Sequence, residues 1–209
     1  DRQDLPVAAT AKKVYDDYIG TMVYDKTAPG WGLGDFQRAC EVGKGNCSDY
    51  HSFFVSLCRA SGIAARFEYG MAIPAEPSGK TILHCWAEFL LPGYGWVPVD
   101  ISEADKNPAR RDYYFGSHDP NRVLFTVGRD LRLSSRQKGD PINFLIHPYA
   151  EVDGKEHVAV AGEYQYASVG GKTAESKGDV VKWSDLLPGG SRLKIYGFLR
   201  LDLIYDDSR

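Results

Sequence analysis

No stretch of the sequence approaches the roughly 18 consecutive apolar residues that a membrane-spanning helix requires, so no bilayer span is expected. A dominant charge is missing too: 25 basic and 28 acidic side chains are mixed along the chain and leave a formal net charge of -3. Such a balance generates no field that would gather nucleic acid or an anionic membrane, and neither is an expected partner. Cysteine is sparse. Cys40, Cys47, Cys58 and Cys85 are too few for a disulfide scaffold in 209 residues and show no CxxC spacing, so free thiols are expected. On one ideal helix Cys47 and Cys58 would stand about 16 Å apart, beyond the reach of a bridge. Internal repeats and heptads are absent, and the one biased segment, "SVGGKTAESKGD" at 168–179, reads as a loop within the domain. Its "GGKT" is not a phosphate-binding loop, because the leading glycine of that motif would fall at Tyr166. The chain opens "DRQDLPVAAT" without an initiator methionine, which fits loss of a leading segment. With a signal peptide removed the protein would be secreted or periplasmic, and otherwise cytoplasmic.

What is present is enough apolar material, 43% of residues with 12% aromatic, to bury a substantial core in a single domain over 1–209. Val14, Tyr15, Tyr18, Ile19 and Met22 recur at helical spacing and predict an amphipathic helix over 10–23. The glycines of "TAPGWGLGD" at 27–35 then make a tight loop, and Asp35 caps a short helix that follows. In "KGNCSDYHSFF", Asn46 is an N-cap with Asp49 at N3, and Tyr50, Phe53, Phe54, Leu57 and Cys58 form one apolar stripe that ends before Gly62. A buried helix over 47–61 is therefore expected, with Cys47 at its first position. Beyond Gly62 the apolar period shortens, predicting strands over 64–73, 82–91, 95–101, 122–127, 143–150, 157–168 and 191–205. Helices first and strands afterwards point to an α+β fold, N-terminal helices packed on an antiparallel β-sheet.

A thiol at a helix start receives a positive potential, and it becomes a nucleophile when a base takes its proton and a third group orients the base. Five histidines are candidates, and His84 stands out. In "TILHCWAEFLLPGYGWVPVDISEA" a hairpin puts Ile82, His84, Trp86, Glu88 and Leu90 on one face and turns Cys85 to the other. Asp100 ends the returning strand, where an unpaired carboxylate beside Val97 and Val99 would be costly. Parity decides whether the two can meet. His84 and Asp100 share a face only if the hairpin loop holds an odd number of residues: a loop of Pro92, Gly93 and Tyr94 sets Asp100 opposite Trp86 and diagonal to His84, whereas a loop of Gly93 and Tyr94 separates them. In the favourable register Asp100 orients the imidazole, His84 exchanges a proton with Cys47, and the Cys47 backbone N–H is a natural oxyanion donor.

"GNCSDYHSFFVSLCRASGIAAR" followed by "HCWAEFLLPGYGWVPVDISEA" resembles the transglutaminase-like superfamily, in particular its bacterial members with a papain-like fold, with Ala64 where that family usually has proline. "GWGLGD" and "YYFGSHDPNRVLFTVGRDLRL" look like the same group, and the resemblance spans about 31–133, leaving a β-rich extension over about 141–209. It implies Cys47 as nucleophile, His84 as general base and acid, and Asp100 as orienter, with no cofactor and no metal required. The implied substrate is a peptide or protein amide, attacked to give a thioester. Hydrolysis, as by a peptidase or amidase, is favoured over glutamine cross-linking, and a noncatalytic binding module is the rival of a different class. Trp31, Asn46 and Trp86 are candidates for substrate or oxyanion contacts, with packing as the alternative for both tryptophans. His51, four residues after Cys47, shares its helix face and is read as a structural or supporting residue in preference to a zinc ligand. Cys40, Cys58 and Cys85 are read as structural.

Overall fold

Apolar residues three and four apart carry the chain into α1, Asp4–Tyr18, which buries Ala11, Tyr15 and Tyr18. The helix begins and ends earlier than its apolar stripe suggests. Pro6 is tolerated in a first turn, and Gly20, at φ 85°, stops the helix, so that Met22 enters the core from the turn that follows. The structure, a computed structural model, describes residues 4–76, 78–135, 137–145, 149, 151–152, 155–156 and 164–167.

Two short parallel strands, β1 (Val23–Tyr24) and β2 (Lys44–Gly45), bracket α2, Phe36–Val42. Asp35 caps α2 by accepting the N–H groups of Gln37 and Arg38. Helix α3, Cys47–Ala60, follows directly and has the expected capping box, Asn46 with Asp49. Its apolar side, Tyr50, Phe54, Val55 and Cys58, packs on Ala65, Ala87, Phe89 and Val99 of the sheet. Each fully buried aromatic there contributes on the order of 2–3 kcal/mol, several times what helix propensity supplies.

The main sheet is antiparallel, in the order β6-β5-β3-β7, with β3 Ala65–Ala72, β5 Ile82–Leu91, β6 Gly95–Val99 and β7 Arg122–Val127. Odd-numbered residues of β3 and β5 face α3. The even-numbered face carries the polar groups, including an Arg66–Glu88 ion pair at 2.5 Å. Smaller pairs complete the described strands: β4 (Ser78–Lys80) with β10 (Gln165–Ala167), and β8 (Glu151–Val152) with β9 (Lys155–Glu156). The fold is α+β, helices on an antiparallel sheet.

The expected strand over 95–101 stops at Val99, because Asp100 is the N-cap of α4, Ile101–Lys106, and accepts the Glu103 N–H. No strand occupies residues 143–145. Residues 146–148 and 150 of the expected strand over 143–150, most of 157–168, the loop at 168–179 and all of 191–205 lie outside the described residues, as does most of the β-rich extension. Among the described residues no helix is long and apolar enough to cross a membrane.

Candidate active site

Cys47 is the first residue of α3, and its surroundings follow from the motif around it. The Asn46 side chain accepts the Ser48 N–H at 2.9 Å, and the Asp49 carboxylate accepts the Asn46 N–H at 2.9 Å. Asp49, fully buried, also accepts the Gly32 and Gly34 N–H groups at 2.8 and 3.1 Å. One carboxylate therefore fixes the start of α3 and the glycine loop that presents Trp31, which is 39% exposed. Gly45 makes the room: a Cβ there would lie 2.3 Å from Asp49 Oδ2. Asn46 spends its oxygen on the cap, so only its amide nitrogen is left to donate.

The hairpin between β5 and β6 has the three-residue loop, Leu91 pairing with Gly95 and Ala87 with Val99. Asp100 therefore lies on the face of His84, and His84 Nε2–H donates to Asp100 Oδ2 at 2.7 Å. With Nε2 engaged, Nδ1 is the nitrogen that can exchange a proton with the Cys47 sulfur. Burial disfavours the charged ring, but the Asp100 carboxylate and the Cys47 sulfur outweigh it and push the His84 pKa up to about 9. The Cys47 thiol is held well below the usual thiol range, first by a hydrogen bond from Cys85, then against burial by hydrogen bonding with His84 and by the charge of that ring. The Asp100 carboxyl is likewise held well below the usual carboxylate range: burial opposes its charge, and the charge and hydrogen bond of His84 favour it. These directions favour thiolate beside imidazolium in the pair.

These directions have a consequence for stability. His84 is raised, so its contribution is complete below pH 6.5 and is lost as pH rises through about 9. Cys47 is depressed, so its contribution is present above pH 9.0 and is lost as pH falls toward its folded value. Over the part of the interval between pH 6.5 and about 9 that lies above the folded Cys47 value, the folded and unfolded pairs each hold one proton, and the two slopes cancel. Cys47→Ala removes the opposing limb. Its urea midpoint should fall with rising pH across this window relative to the native protein, and a parallel pair of curves would count against a charged His84.

Further side chains complete the site: His51 has the supporting place that its spacing suggests, whereas Cys85, Tyr24 and Trp86 were missed or misplaced by sequence reasoning. His51 is fully buried and spends both ring nitrogens on the protein: Nδ1–H donates to the Cys47 carbonyl at 2.7 Å, and Nε2 accepts the Ile101 N–H at 3.2 Å. Its Nε2 also lies 3.4 Å from Asp100 Oδ1. The i, i+4 spacing from Cys47 puts His51 on the expected helix face, and its contacts join α3 to the turn that carries Asp100. Cys85 does point away from His84 along the strand, but toward α3, where its sulfur lies 3.7 Å from His51 Nδ1 and 3.8 Å from Ser48 Oγ. It is part of the Cys47 environment and not only packing. Cys58 is a buried packing residue as expected, whereas Cys40 is exposed.

Tyr24 packs against the same buried cluster, and its phenol oxygen accepts the Cys47 backbone N–H; burial, with the Cys47 and Cys85 thiols, pushes its pKa up and keeps it a neutral donor. The amide expected to serve as oxyanion donor is thus paired with a hydroxyl. Trp86 is 2% exposed, and its Nε1–H donates to Glu68 Oε2 at 2.5 Å. A buried indole needs such an acceptor, and Trp86 backs His84 from inside the sheet face instead of lining an open cleft. Burial and the neighbouring Glu88 push the Glu68 pKa up to about 7.

Residues 2–101 match the profile of the transglutaminase-like superfamily, a span that holds Cys47, His84 and Asp100. An uncharacterized protein of Haemophilus influenzae is 34% identical over 178 aligned residues, which cover 69% of this chain and 48% of the relative. The chain thus spans about half the length of that curated relative. A solved structure of a candidate cysteine protease from Cytophaga hutchinsonii is 20% identical with a TM-score of 0.40, covering 58% of this chain and 35% of the other. Over residues 2–101, just under half of its length, the chain is similar to the transglutaminase-like superfamily.

Proposed function

We propose that this protein is a cysteine-dependent acyl-transfer enzyme that cleaves amide bonds through a thioester on Cys47. The observation that carries the reading is the 2.7 Å hydrogen bond from His84 Nε2 to Asp100, formed by a ring whose other edge serves a thiol at a helix start. The Cys47 thiolate attacks the amide carbonyl carbon, and the carbonyl π pair moves onto oxygen. The donors assigned to that oxyanion are the Cys47 N–H, released from the Tyr24 oxygen that it meets in the free protein, and the Tyr24 hydroxyl. Collapse re-forms the carbonyl, breaks the C–N bond, and His84 gives its proton to the departing amine. Neutral His84 then takes a proton from water as the water oxygen attacks the thioester, releasing the acid and restoring the thiolate–imidazolium pair. Asp100 keeps the imidazole in one orientation throughout and does not itself take the proton.

Hydrolysis of a peptide or protein amide is the favoured outcome, and an amine in place of water would give cross-linking through the same intermediate. Incubation with a glutamine peptide and a labelled primary amine separates them. Product acid without incorporated label supports the hydrolase, and stoichiometric incorporation reverses the assignment. Burial favours a second reading, a noncatalytic module that keeps the fold, since Cys47 and His84 are only 3% and 4% exposed. Alkylation against pH distinguishes it. An ionised Cys47 reacts with iodoacetamide well below pH 8.5, whereas reaction only near the free-thiol pKa supports the module.

A further inference from the structure

Asp100 is held by more than His84. Its Oδ1 accepts from Ser102 Oγ and from the Glu103 N–H, both at 3.0 Å, whereas its Oδ2 is shared between His84 Nε2 at 2.7 Å and Arg122 Nη2 at 2.8 Å. Arg122 opens β7, two strands away from β5, and its side chain is 4% exposed. Its path is cleared by β3, which presents Ala72 opposite Arg122 and Gly70 opposite His84, so no large side chain of the intervening strand stands between them. Gly70 also lets β7 close in: a Cβ there would lie 2.0 Å from the Val123 carbonyl oxygen. Two further guanidinium nitrogens, Nε and Nη1, are buried without a hydrogen-bond partner among the described residues.

A buried arginine that leaves two donors unpaired is a poor device for stability, because each orphaned N–H keeps its desolvation cost. We infer that Arg122 is a positioning residue for the reaction proposed above: it fixes the rotation of the Asp100 carboxylate and draws off part of the negative charge that His84 would otherwise receive. The inference rests on the reading of Cys47 and His84 as the reacting pair. The groups around this ion pair are Tyr15 from α1, Cys47 and His51 from α3, His84, Cys85 and the Trp86 ring from β5, Asp100 itself, and Asp119 from the segment before β7. With Arg122 neutralised, the full carboxylate charge falls on His84 and, beyond it, on the Cys47 thiolate. The imidazolium is strengthened and the thiolate is weakened, so both ends of the working pH range move upward.

The test is the pH dependence of Cys47 alkylation by iodoacetamide in the full chain, followed by peptide mapping because Cys40 is also exposed. In R122Q the midpoint should rise by about one pH unit, a loss of about tenfold in rate on the acid side, while R122K, which keeps the charge, retains the native midpoint. A native midpoint in a folded R122Q overturns the inference and leaves Arg122 a structural residue. Should R122Q not fold, R122K decides: its ammonium cannot hold the carboxylate in a plane, so alkylation slows about threefold or more, and native kinetics overturn the inference. H84A separates the underlying reading. A native midpoint in H84A sinks the reacting pair itself, whereas a raised midpoint in H84A with a native one in R122Q sinks only the role of Arg122.

Discussion

Cys47→Ala is expected to abolish site-specific labelling by acyl electrophiles and to lower amide turnover by on the order of 10⁴-fold or more, since the neighbouring thiol, Cys85, is held protonated by burial and faces His51, not His84. The fold should survive. The side chain is small and sits at a helix start whose cap is made by Asn46 and Asp49, so the stability cost should be about 1 kcal/mol. Cys85→Ala gives the contrasting result. The reactive thiol remains, but it loses the hydrogen bond that contributes most to its ionisation, and labelling near neutral pH should slow without disappearing. Mass mapping of labelled peptides reads both variants, and unchanged labelling of Cys47→Ala at another cysteine would remove Cys47 from the chemistry.

Asp100→Asn is expected to be nearly as damaging, lowering turnover by about 10³–10⁴-fold and stability by about 1–3 kcal/mol. The reason is that both carboxylate oxygens already face donors. With the amide nitrogen at Oδ2, it meets His84 Nε2–H and Arg122; turned to Oδ1, it meets the Glu103 N–H. Either orientation sets N–H against N–H, and the first also drives the His84 proton to Nδ1, the nitrogen that must receive a proton from Cys47. Steady-state turnover with urea denaturation of the same sample separates the two effects. A folded Asp100→Asn with native turnover would show that His84 needs no carboxylate.

Much of this site could be read from the chain before any coordinates. Asn46, Asp49, the apolar stripe from Tyr50 to Cys58 and Gly62 fix α3 almost to the residue, because capping and helical period are local properties. The pairing of His84 with Asp100 was legible as a choice between two loop lengths, and the structure has the odd one. The end of β6 was misread because Val97, Val99 and Ile101 continue an alternating apolar pattern, although Asp100 with Glu103 three residues later is a cap signal in its own right. Tyr24, Cys85 and Arg122 could not be found in this way. Their contacts depend on the lateral order of the strands and on how α3 lies across them, and neither is encoded in spacing along the chain.

The turn formed by Pro92, Gly93 and Tyr94 illustrates how far this dependence reaches. Exposed turns ordinarily absorb insertions and deletions freely, and Tyr94 is 78% exposed. Here the count of residues in the turn sets which side of the sheet receives the acid, so a lineage that gained or lost one residue at this outer rim would keep every member of the buried trio and forfeit its assembly. Length at the periphery is under the same constraint as identity at the centre.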